Sequence, residues 1–143
     1  MFNFLKKDSK ESIENPIIKI TALLIHVAKI DENYTKKEKE IIRKSIAEIG
    51  TKDEKVDNIF KKAEEIEKNS NQILEFTKEI KNLNDDSKKK IVEILWRIIY
   101  SDNNPDMYEN SLMRKLSGLL YLDPKVVGDL KEKVKLDLKK WHI

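Results

Sequence analysis

An all-α fold, a single-domain bundle of seven or eight helices built from two similar helix–loop–helix halves, is what this sequence predicts. Three observations point there. The chain holds only 3 Gly and 3 Pro in 143 residues, so breaks are few and elements are long. Its apolar residues recur at helical spacing, and no run alternates as a strand would. One stretch occurs twice: Asp31-Glu32-Asn33-Tyr34-Thr35-Lys36-Lys37-Glu38 and, 71 positions on, Asp102-Asn103-Asn104-Pro105-Asp106-Met107-Tyr108-Glu109. Each copy follows a strongly apolar segment and opens an amphipathic one.

The elements follow in order. Residues 1–14 form an N-terminal segment that reads equally as a short amphipathic turn or a frayed, partly disordered end. The helical domain spans 15–143. Asn15-Pro16 reads as an N-cap followed by proline at the first helical position. The helix it opens, to about Ile30, is apolar nearly all round (Ile17, Ile18, Ile20, Leu23, Leu24, Ile25, Val27), as a buried central helix is. Thr35 and Glu38 have the spacing of a capping box, in which each side chain takes the other residue's amide. The next helix carries Ile41, Ile42, Ile46 and Ile49 and stops at Gly50.

Thr51 and Glu54 repeat the capping spacing ahead of a stripe of Val56, Ile59, Phe60, Ala63 and Ile66, which Asn69-Ser70-Asn71 breaks. Ile73, Phe76, Ile80 and Leu83 mark a short helix. Asn84-Asp85-Asp86 starts a second central helix, through Ile91, Ile94, Leu95, Trp96, Ile98 and Ile99 to about Ser101. Asp106 and Glu109 pair as its neighbour's cap, before Leu112, Met113, Leu116, Leu119 and Leu120. Asp123-Pro124 opens the last helix, with Val127, Leu130, Val134, Leu138 and Trp141 facing the core.

At an offset of 71, Asp31 meets Asp102, Glu38 meets Glu109, Arg43 meets Arg114, and the polar interruptions His26 and Arg97 coincide. Coincidence at cap, apolar face and interruption together reads as a duplicated helical hairpin, with repeats at about 16–49 and 87–120.

Composition narrows the function classes. Charged residues make up 38% and hydrophobic ones 39%, and the latter are periodic, which argues against disorder. A net charge of +3, from 29 basic and 26 acidic residues, is too balanced to predict nucleic-acid binding, and no aromatic stacking platform accompanies the lysines. Zero cysteines exclude disulfides, thiolate metal sites and cysteine nucleophiles. Apolar runs are broken by Thr21, His26 or Arg97, well short of the ~20 residues of a membrane span. Met1 to Lys10 lacks the apolar centre and cleavage site of a signal peptide. A cytoplasmic location is expected. No nucleophile elbow, phosphate-cradling glycine loop or spaced His–carboxylate pair supports an enzyme; a paired-carboxylate, metal-dependent hydrolase is the one catalytic alternative.

The pattern resembles the tellurite-resistance TerB-like family. The resemblance rests on Leu23-Leu24-Ile25-His26-Val27-Ala28-Lys29-Ile30-Asp31 with Glu38, and on Ile94-Leu95-Trp96-Arg97-Ile98-Ile99-Tyr100-Ser101-Asp102 with Glu109 and Leu112-Met113-Arg114-Lys115-Leu116. It covers roughly residues 15 to 138, and its second half is the more specific. It implies a two-halved helical bundle, acidic turns suspected of holding metal, a link to stress response, relatives beside membrane and J-domain proteins, and no established catalysis. Two departures stand out. The family's turn glycine is replaced by Glu32 and Asn103, and the acidic residue common five places before the aspartate is replaced by His26 and Arg97.

Two readings of the carboxylates stand side by side. Asp31 and Asp102 lie where helix C-termini disfavour negative charge by ~0.3–1 kcal/mol, and a hard divalent cation, Ca²⁺ or Mg²⁺, would compensate. The candidate ligands are Asp31, Glu38, Asp102, Asn104, Asp106 and Glu109, with the second turn richer in oxygens. The span is too short for an EF-hand loop of about 12 residues. In the other reading Arg43 and Arg114, each 12 residues after its Asp, fold back onto the aspartates, and Glu38 and Glu109 only cap helices. His26 reads as a hydrogen-bonded, partly buried histidine, Arg97 as a partner for a carboxylate of the other repeat, and His142 as exposed.

The expected function is a non-enzymatic binding or scaffold module with a protein partner and a possible divalent cation. The alternative is a docking domain for a protein or a membrane surface. Its patch would be the basic run Lys131 to Trp141 with Phe2, Phe4, Lys6 and Lys7.

Overall fold

The computed structural model describes residues 10–29, 34–49, 53–69, 73–102 and 107–141. Among them are seven α-helices and no strand: α1 (Lys10–Ala28), α2 (Lys36–Glu48), α3 (Asp53–Lys68), α4 (Leu74–Ile80), α5 (Asp85–Ile99), α6 (Met107–Leu119) and α7 (Pro124–Trp141). A single 3-10 turn, Tyr100–Asp102, extends α5.

Helices α1 and α5 form the centre, as their all-round apolarity predicts. Ile20, Ala22, Leu23, Leu24 and Ile25 of α1 and Ile91, Ile94 and Leu95 of α5 are fully buried. Around α1 pack α3, α4 and α2; against α5 packs α7, which also contacts α6, and α1 meets α5 directly. A continuous core results, to which the one-sided stripes of the outer helices contribute Ile42, Ile46, Ile59, Phe60, Phe76, Met113, Leu116 and Val134. Thr21, wholly buried in α1, satisfies its hydroxyl by donating to the Ile17 carbonyl one turn back at 2.7 Å.

One boundary differs from expectation. Asn15 does not cap α1, and Pro16 is not its first residue: the helix begins at Lys10 and carries Pro16 inside it. A proline lacks the amide proton, so the Ser12 carbonyl forgoes one intrahelical bond, and the residue before proline is biased against helix but not barred from it. The helix-compatible run Lys10 to Glu14 extends the helix back through that local start signal. The other caps agree. Asn84 accepts the Ser87 amide at 2.8 Å, and Asp123 accepts the Lys125 amide at 2.9 Å with Pro124 opening α7. The side chains of Glu54, Glu109, Trp141 and His142, like Gly50 and Thr51, lie outside what is described.

The C-terminus of α6 closes in an unusual way. The Leu122 amide donates to the Ser117 carbonyl at 2.9 Å and the Tyr121 amide to Gly118 at 3.2 Å. These bonds define a Schellman motif, whose left-handed position normally holds glycine. Here it is Tyr121, at φ 57° and 69% exposed, while Leu122 turns back into the core.

Candidate functional site at the acidic turns

The first turn is built on the capping box. The Thr35 amide donates to Glu38 Oε1 at 2.8 Å and the Glu38 amide to Thr35 Oγ1 at 3.1 Å, with Thr35 extended ahead of α2. That reciprocal pairing holds Glu38 buried.

Tyr34, one residue ahead, lies with its ring 4.9 Å from Lys39 Nζ and 5.8 Å from Lys29 Nζ. Its hydroxyl is buried and has no hydrogen-bond partner among the described residues. Burial pushes the phenol's pKa well above its ordinary value, and the negative charges of Glu64, Glu38 and Glu67 push the same way against Arg43. Carboxylates from α2 and α3 therefore lie near the Tyr34 hydroxyl.

Below it, Glu67 ties α3 to α1. Its Oε2 lies 3.2 Å from His26 Nδ1 and its Oε1 accepts from Lys29 Nζ at 2.7 Å. The His26 ring also packs against Phe76 at 5.8 Å. This is the hydrogen-bonded, partly buried histidine that the sequence suggests.

The second turn begins at the 3-10 end of α5, where the Ser101 hydroxyl donates to the Ile98 carbonyl at 2.7 Å. Lys37, in the first turn of α2, donates from Nζ to the Ser101 carbonyl at 2.9 Å. An ammonium from α2 thus meets the carbonyl end of the α5 segment, where positive charge is favoured. Two turns far apart in sequence are neighbours in space.

Of the predicted ligands, Glu38 is the one whose side chain is placed. Asp31, Asn104 and Asp106 lie outside the described residues, and Asp102 and Glu109 are described in backbone alone. Among the described residues, no three His, Asp or Glu side chains are grouped to hold a metal ion. A ligand set would have to draw on Asp31 and on the second turn.

The expected pairings of Arg43 with Asp31 and of Arg114 with Asp102 fall on aspartate side chains outside the described residues. The carboxylate that Arg43 meets among the described residues is Asp57 of α3, and its guanidinium lies 5.0 Å from the Phe60 ring. The partner expected for Arg97, a carboxylate of the other repeat, is corrected: among the described residues it donates to Glu93, one turn back in its own helix, at 3.3 Å. Glu93 is buried and also receives Lys133 Nζ of α7 at 3.1 Å, with Lys90 Nζ 4.0 Å away. The basic run of α7 is thus partly turned inward: Lys133 meets Glu93, and Lys131 lies 5.5 Å over the Trp96 ring.

Sequence reasoning missed Tyr34, Lys37, Glu64 and Glu67. A signal existed for Glu67. It stands one turn after Ala63, on the apolar stripe of α3, where an acid needs a buried partner.

No helix among the described residues is long and apolar enough to cross a membrane. Comparison with curated proteins gives no match, and neither does comparison with solved structures. The family model described as "Tellurite resistance protein TerB" matches residues 18–132, from the middle of α1 into α7 and across both turns. With most of its length matched, and the all-helical fold that goes with it, the chain belongs to the TerB family.

Proposed function

We propose that this chain is a non-enzymatic, cytoplasmic binding or scaffold module of the TerB type, whose two acidic turns together hold a divalent cation. The observation that carries the reading is the bond from Lys37 to the Ser101 carbonyl, which makes the turns neighbours. A lysine at that junction occupies the position a metal ion would favour electrostatically. Asp31, Glu38, Asp102, Asn104, Asp106 and Glu109 would supply oxygen ligands of the kind that Ca²⁺ and Mg²⁺ take. The internal duplication belongs to the same reading. It is supported by the matched positions His26 and Arg97, each of which meets a buried glutamate. A role in stress response and a protein partner extend the reading from the family.

A second reading is a docking domain whose turns are purely structural. It is favoured by Glu38, whose Oε1 is taken by Thr35, and by Leu136, which stands 62% exposed on a helix face set with lysines.

Thermal melts of metal-stripped protein, with and without millimolar Ca²⁺, Mg²⁺ or Mn²⁺ at fixed ionic strength, separate the two. An ion present at a hundredfold excess over its Kd stabilises the native state by about 2.7 kcal/mol. The cation reading expects a rise that Asp102→Asn abolishes and Lys37→Gln enlarges, since that variant removes the competing ammonium. No rise with any ion would leave the docking reading, to be followed with pull-downs and anionic vesicles.

A further inference from the structure

Between α5, α6 and α7, beside Trp96, lies a cleft of about 380 Å³. That volume is at the lower end of small-molecule sites, about 300–1,000 Å³. Its floor is Trp96, which is 3% exposed and fixed by a 3.0 Å hydrogen bond from its indole nitrogen to the Val127 carbonyl. Met113 and Val127 make the walls apolar. Arg114 on α6 and Lys131 on α7 bring a cation to each side. Neither has a carboxylate partner among the described residues, and no Asp or Glu among them lines the cleft.

Gly128 lies inside α7 and lines the cleft. A Cβ there would meet no atom within 4 Å, as at Gly118 outside the cleft, so position 128 offers open space in which a larger side chain would fill the cleft.

We propose that this cleft binds a small organic anion with a flat apolar body, such as an aromatic carboxylate or phosphate monoester. The body enters the cleft beside Trp96, Met113 and Val127, and the anionic group sits between Arg114 and Lys131, which overlies the Trp96 ring at 5.5 Å. Arg offers the planar fork that suits carboxylate or phosphate, and Lys a point charge. None of the six candidate cation ligands lines the cleft among the described residues.

The test is an NMR titration of the full chain with benzoate and phenyl phosphate, against benzyl alcohol and benzylammonium at the same ionic strength. Reporters are the Trp96 indole N–H and the Gly128 amide, one of only 3 glycine amides in the chain. Both anions should shift both signals saturably, and the neutral and cationic analogues should not. Gly128→Leu should abolish the response while keeping helical content and melting temperature, read at the Trp96 signal; Gly118→Leu, outside the cleft, should leave binding unchanged. Arg114→Gln with Lys131→Gln should weaken the anions about tenfold or more, as loss of charged hydrogen bonds does. Shifts that stay linear with concentration, that benzyl alcohol reproduces, or that survive in Gly128→Leu would overturn the proposal.

Discussion

The two central helices meet the same problem in different ways. Each has a basic residue at the matched position of an otherwise apolar segment, His26 in α1 and Arg97 in α5, and each basic residue meets a buried glutamate. In the α1 half that glutamate is Glu67, on another helix and 41 residues away. In the α5 half it is Glu93, four residues away on the same helix. The first arrangement is a tertiary tether: a single carboxylate on α3 meets both the His26 imidazole and the Lys29 ammonium at the end of α1. In the second, Arg97 is a local i,i+4 partner, and the tertiary link to α7 comes from Lys133. Equivalent sequence positions need not do equivalent structural work.

Single substitutions test that contrast. Glu67→Ala should lower unfolding free energy by about 2 kcal/mol, because the His26 ring and the Lys29 ammonium both lose the buried carboxylate that joins them to α3. Arg97→Ala should lower it by only about 0.5 kcal/mol, the scale of an i,i+4 pair at a half-exposed site, since Glu93 keeps Lys133 and Lys90. Urea unfolding of both variants checks this; equal losses would erase the distinction.

A smaller effect sharpens the picture of the first turn. Tyr34 has a folded-state pKa above its unfolded value of about 10, so the folded chain keeps a proton that the unfolded chain releases. Stability should be intact below about pH 10 and decline as pH rises beyond it. Tyr34→Phe should flatten that alkaline decline and raise stability near neutrality by about 1 kcal/mol, as the unpartnered buried hydroxyl is removed. Melting temperatures of both proteins across neutral and alkaline pH give the comparison.

The smallest effect concerns the α5 half alone. Tyr121→Gly should stabilise by less than about 1 kcal/mol, relieving the left-handed backbone at the end of α6. The gain is reduced by loss of the ring contacts to Lys81 and Lys88, at 5.9 and 5.8 Å. Denaturant midpoints would show it, and a loss of stability would mean that those contacts outweigh the strain.

Much of this molecule is legible in its residues because the relevant forces are short in sequence range. The apolar stripes, the caps at Thr35, Asn84 and Asp123, and the buried character of α1 and α5 follow from contacts within four residues. The same locality explains the misjudged start of α1. Asn15-Pro16 is a sound local start signal, but one lost hydrogen bond does not outweigh extending the helix back through residues that favour it. The candidate site was legible only in part. Glu38 was identified with its cap; the crowding of Glu64 and Glu67 around Tyr34 was not, because it depends on how α3 lies across α1.

From its sequence alone this protein was determined to be helical, with two nearly all-apolar helices at its centre and an acidic turn after each, because periodicity and capping act along the chain. Tertiary structure decided which charges meet: Lys37 with the Ser101 carbonyl, Glu67 with His26 and Lys29, Arg43 with Asp57. It also decided that a cationic cleft lies between α5, α6 and α7, beside Trp96. Those pairings depend on the angles and depths at which helices pack, and such quantities are set by the whole core and by no single segment.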